Sequence, residues 1–183
     1  SVHLVMMFTE LPCGKGSSQY DFLDADLGSV NRSVTPWVVL CGHRPMYAVG
    51  GTGSAGPDLS DNFCRGAEDM EPLLMKHHVD LALWGHVHNA LLTCPVINGT
   101  CVTEKGPDGY DAPVHIVIGN GGQSLSGIPP PSKTADWVRY MADEWGWGDL
   151  TVPNGTSLSF SFLDDAKDTT RHSVTLTRTL PRV

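Results

Sequence analysis

The chain has 183 residues, with 12 Lys and Arg against 20 Asp and Glu, and a formal net charge of −8. That acidity argues against a nucleic-acid backbone or an anionic membrane surface as the main partner, because both repel it. With 40% apolar and 17% charged residues it is not a disordered chain, and its length suits one domain, with or without a small appendage.

Val2 to Phe8 is apolar and strand-like. It follows Ser1 directly, with no signal-peptide pattern, so the chain reads as a processed product or a fragment. Tyr20 to Arg32 spaces Phe22, Leu23, Leu27 and Val30 as an amphipathic helix does. Trp37 to Cys41 is a fully apolar run, typical of a strand buried on both faces, and Gly42-His43-Arg44-Pro45 turns the chain after it. Residues 48–62 are glycine-rich and polar, a long surface loop. Met70 to His78 predicts a short helix whose first turn tolerates Pro72. Val79 to Trp84 is the next buried strand, ending at Gly85-His86-Val87-His88.

Beyond residue 90 helical periodicity fades. Val114 to Ile118 predicts a strand followed by Gly119-Asn120-Gly121-Gly122, a turn whose N–H groups could also face an anion. Ile128 to Pro131 is a proline-rich loop, and Trp137 to Trp145 is expected to hold one short helix. The stretches 148–152, 157–163 and 173–179 alternate apolar and polar residues and predict antiparallel strands. The order strand, helix, strand, helix, strand indicates an α/β arrangement. No run of about 18 apolar residues spans a membrane.

The five cysteines form no CxxC pair, so a cysteine zinc cluster is disfavoured. Cys94 and Cys101 flank a Pro and Asn-Gly turn able to bring them within bridging distance. Sequons stand at Asn31, Asn98 and Asn154. Together these features favour an oxidising, extracytoplasmic compartment. Buried thiols and unused sequons remain the alternative.

The sharpest constellation is His86-x-His88 just past a buried strand. In extended backbone, side chains two apart share a side, and Gly85 permits a turn releasing both imidazoles towards one point. His43 stands in the parallel position, and neighbouring parallel strands end at the sheet edge where α/β proteins place ligands. Three imidazoles there read as a metal site. His77-His78 at a helix end, and His3, His115 and His172 within strand patterns, read as structural. Asp80 lies too early in its strand to serve as a site carboxylate.

Val38 to Tyr47 (VVLCGHRPMY) resembles the segment carrying one metal-ligand histidine in the purple acid phosphatases, members of the calcineurin-like metallophosphoesterases. LALWGHVH at 81–88 resembles their GHxH motif, and the likeness continues through 93–101, 114–119 and 145–152. The resemblance implies an α/β fold: the C-terminal half of a metallophosphoesterase α/β sandwich with a C-terminal antiparallel β extension. Residues 1–95 would be a partial catalytic domain and 96–183 the C-terminal region.

It further implies phosphate-ester hydrolysis of acid phosphatase type at two metals, Fe(III) plus Zn, Mn or Fe(II). His43 and His86 would hold the divalent ion and His88 the iron. Such ions neutralise charge on the transferring phosphoryl group. The partner would be a small-molecule phosphate ester, and the location secreted, vacuolar or lysosomal. The family's earlier motifs GDxG, GDxxY and GNH[DE] do not occur here, so these 183 residues alone are expected to be inactive. After GHxH the family's YER run is replaced by Ala90-Leu91-Leu92, and the 48–62 loop lacks the substrate-contacting histidines of some plant members. Those departures leave a nucleotide pyrophosphatase/phosphodiesterase, or a non-catalytic secreted binding module, as alternatives.

Overall fold

The computed structural model describes residues 2–49, 56–57, 64, 67–130 and 134–179. Strand β1 (Val2–Met6) opens the chain, and helix α1 (Ser18–Gly28) follows. The hydroxyl of Ser17 caps α1 by accepting from the Tyr20 N–H at 3.1 Å. The helix stops four residues before the periodicity does. Asn31 accepts from the N–H (3.1 Å) and hydroxyl (2.5 Å) of Ser33, which turns the chain. Arg32 is then drawn inward to the carbonyls of Pro36, His77 and His78 and to Asp80.

Strand β2 (Trp37–Cys41) comes next. The two-residue strands β3 (Tyr47–Ala48) and β4 (Gly56–Pro57) pair antiparallel. Most of the predicted 48–62 loop lies outside the described residues. Helix α2 (Met70–Lys76) leads into β5 (Leu81–Trp84), then β6 (Ala90–Ile97), β7 (Thr100–Cys101) and β8 (Val114–Ile118).

The expected helix over 137–145 is instead strand β9 (Val138–Ala142), antiparallel to β6 from Ala90↔Ala142 to Thr93↔Val138. A short segment rich in Val, Tyr and Met takes its conformation from the open edge of β6 rather than from helical propensity. Strands β10 (Gly146–Asn154), β11 (Ser157–Asp164) and β12 (Thr170–Thr177) form a separate antiparallel sheet.

The larger sheet runs β1-β2-β5-β8-β6, with β7 and β9 both on β6. Its first four strands are parallel. One face packs Val38, Leu40 and Ala82 against Leu23 and Leu27 of α1 and Leu73 and Leu74 of α2. The other packs Val39, Leu81 and Ile116 against Leu158, Phe160 and Phe162 of the second sheet. Central strands buried on both sides explain the unbroken apolar runs at 37–41 and 81–84.

Two disulfides staple the chain. Cys94–Cys101 closes the β6–β7 hairpin, and Cys13–Cys64 joins residues 51 apart. Nothing local in the sequence marks the second pair. Cys41 is free.

Candidate metal centre

Strands β2, β5 and β8 end at one edge of the sheet, and the chemistry-bearing turns follow them. The ladder continues into those turns: Gly42 N–H donates to Leu83 O (3.0 Å), and Gly85 N–H donates to His43 O (2.9 Å). Two glycines allow this convergence. A Cβ on Gly42 would lie 2.6 Å from the Trp84 ring, and one on Gly119 would lie 2.1 Å from the carbonyl oxygen of Val87. Any side chain at Gly119 would push the histidine turn off the end of β8.

Within that turn the backbone is not extended. His86, not Gly85, takes the left-handed conformation, with φ of 62°. Val87 N–H bonds Gly85 O at 2.7 Å and Asn89 N–H bonds Val87 O at 2.9 Å, two successive tight turns. A non-glycine residue held at positive φ is strained, and such strain clusters at functional sites.

The turns give the three histidines different partners. His86 Nδ1 faces His43 Nε2 at 3.2 Å, with the rings edge to face. His88 turns to another loop: its Nδ1 lies 3.2 Å from the Ser124 hydroxyl. Its N–H donates to Ser126 Oγ, and its carbonyl accepts from Ser126 N–H.

Two residues that sequence reasoning did not single out complete the cluster. Arg44 places Nη1 3.2 Å from His86 Nε2, while its Nε donates to Glu10 Oε1 at 2.6 Å. A signal for both existed. Each follows a parallel strand at the edge where the histidines sit, Glu10 after β1 and Arg44 directly after Gly-His. Burial, then the Arg44 charge and His43, push the His86 pKa down and favour neutral imidazole, the ligating form. The Arg44 hydrogen bond holds the Glu10 carboxyl below its ordinary range.

Two nitrogens sharing a metal at about 2.0–2.1 Å stand roughly 3–3.4 Å apart. The His43–His86 pair therefore fits two donors of one ion. Among the described residues, no group of three or more His, Cys, Asp or Glu side chains is placed to hold a metal.

The remaining candidates stand elsewhere. Asp80 lies just before β5, at the opposite end of the strand from His86, and bonds Arg32 Nη1 and the Val38 N–H at 2.9 Å each. His77 contacts Asp24, His3 contacts Asp26, and His172 stacks on Tyr140. The sequons Asn31, Asn98 and Asn154 are all exposed.

Comparison with known proteins agrees with this architecture. The calcineurin-like phosphoesterase family profile matches residues 2–90, and that of the iron/zinc purple acid phosphatase-like protein C family matches 112–173. The chain belongs to the purple acid phosphatases, within the calcineurin-like metallophosphoesterases.

Among purple acid phosphatases of known structure, the enzyme from yellow lupin (Lupinus luteus) seeds superposes with a TM-score of 0.81 at 31% identity. The match covers 94% of this chain and 30% of that one. The larger sheet with its separate antiparallel sheet is thus a metallophosphoesterase fold. Acid phosphatase A of Cryphonectria parasitica is 35% identical over 90% of the chain and 31% of its own length. Probable inactive purple acid phosphatase 9 of Arabidopsis thaliana is 46% identical over 89% and 25%. The chain thus spans between a quarter and a third of the length of these relatives.

Proposed function

We propose that this purple acid phosphatase chain carries one side of a metal-dependent phosphate-ester hydrolysis site. The carrying observation is the pairing of His43 Nε2 with His86 Nδ1 at the carboxyl edge of the parallel strands. His43 and His86 would share the divalent ion, and His88, through the ring nitrogen not engaged by Ser124, would serve the iron. When bound, such ions supply Lewis-acid stabilisation of charge on a phosphoryl group. The chain's own part is to hold neutral imidazoles at the sheet edge and to keep the Arg44–Glu10 pair beside them. Small-molecule phosphate esters are the substrate class, and the disulfides and exposed sequons fit a secreted or vacuolar location.

The GDxG, GDxxY and GNH[DE] motifs are absent from the sequence, so the chain lacks the carboxylates that bridge and complete the pair of metals. The 183 residues alone should therefore leave p-nitrophenyl phosphate unhydrolysed in the presence of Fe(III) and Zn(II). Joined behind the motif-bearing segment of an active relative, they should turn it over and lose that turnover on His86→Ala. Hydrolysis by the chain alone, abolished by His86→Ala, would sink the half-site reading. Indifference of the joined protein to His86→Ala would sink the metal reading. A non-catalytic binding module is the second reading, favoured by the relative 46% identical to the chain that is named probable inactive.

A further inference from the structure

Arg44 stands where a metal-site neighbour should not be, with a permanent positive charge 3.2 Å from a candidate ligand. A guanidinium carries donors only and does not deprotonate in proteins. His86 Nε2 must therefore accept from Arg44, and the single proton of the neutral ring must sit on Nδ1. Nδ1 is the atom that faces His43 Nε2 at 3.2 Å. In that tautomer the 3.2 Å contact is an N–H···N hydrogen bond from His86 to His43.

We propose that Arg44 is a positioning residue that locks His86 in the tautomer opposed to metal uptake and so sets a threshold for loading the site. A metal between the two rings needs the lone pair of His86 Nδ1. The proton then moves to Nε2, where it meets the Arg44 N–H donor to donor. Arg44 must leave before the ion is held, and removing its charge from a neighbouring cation acts in the same direction. Glu10, already bonded to Arg44 Nε at 2.6 Å, is a group that can receive it. The backbone N–H of Arg44 is held separately, by Thr9 Oγ1 at 3.0 Å. The tautomer stands on geometry alone, while the threshold rests on the metal reading above.

Long-range nitrogen-15 correlation spectra of the metal-free chain, recorded above neutral pH, report which ring nitrogen of His86 is protonated. The wild type should show Nδ1–H, and Arg44→Met should shift the ring towards Nε2–H. Arg44→Gln, which keeps polarity, guards against loss of fold. Calorimetric titration with Zn(II) should show about tenfold tighter uptake in Arg44→Met, the effect of removing one charge-assisted hydrogen bond. His43→Ala should abolish uptake in both backgrounds. An Nε2–H tautomer in the wild type, or uptake by Arg44→Met no tighter than wild type, overturns the inference. If neither protein takes up zinc while the tautomer shifts as stated, the lock stands and the metal reading falls.

Discussion

At the residue scale, one strongly perturbed side chain lies outside the candidate site. His115 lies fully buried in β8, and its Nδ1 accepts from Trp84 Nε1 at 3.1 Å. Burial drives its pKa down to about 3. A histidine lowered in the folded state binds its proton first when unfolded, so its neutral form supports the fold fully only above the ordinary histidine range. As pH falls from about 6.5 towards 3, this residue should remove about 1.4 kcal/mol of stability per pH unit. Urea unfolding at stepped pH should show that slope. His115→Gln, which keeps an acceptor for Trp84, should reduce it by that amount, and an unchanged slope would contradict the assignment. In the candidate site, the placement of His43, His86 and His88 at one sheet edge was legible because each follows an apolar strand and a glycine or the HxH spacing. What the sequence did not show was their pairing. The left-handed turn at His86 and the Ser124 loop, 36 residues on from His88, decide that, and neither has a local signature.

Elements made of strong periodic signals came out where the sequence placed them. The buried parallel strands and the C-terminal meander needed only apolar runs or strict alternation to be found. Strand β9 did not, because its conformation is set by pairing with β6 across 46 or more residues of chain, from Thr93 to Val138 at the nearest. The disulfides show the same contrast between local and distant constraint. Cys94–Cys101 encloses a hairpin and Cys13–Cys64 a 51-residue span. Loop-closure entropy makes the longer loop the stronger staple, about 4 kcal/mol against about 2.5 kcal/mol. Denaturant midpoints should therefore drop further for the Cys13→Ser/Cys64→Ser double variant than for Cys94→Ser/Cys101→Ser. The reverse order would show that residual structure in the unfolded chain outweighs loop length.

On the scale of the whole molecule, the edge strand β1 stays partly bare. Leu4, Met6 and Phe8 alternate along β1 and its continuation and remain 52%, 64% and 56% exposed, whereas Val2, at the start of the same stripe, packs against the cluster that includes the second sheet. An uncovered apolar stripe on an unpaired edge promotes association. Light scattering should show concentration-dependent self-association of the chain, and Leu4→Lys/Met6→Lys should suppress it without lowering the melting temperature. A monodisperse wild type at high concentration would refute this. The opposite rim of the sheet has a different character. There Arg178 lies over the Trp37 ring at 3.6 Å and bonds the Pro36 carbonyl, within reach of the Asp80 that also holds Arg32. Anchorage is gathered at one pole of the strands and the candidate histidine cluster at the other. Side chains at the histidine pole can therefore change while the fold persists, a physical route by which a relative named acid phosphatase and one named probable inactive could share one scaffold.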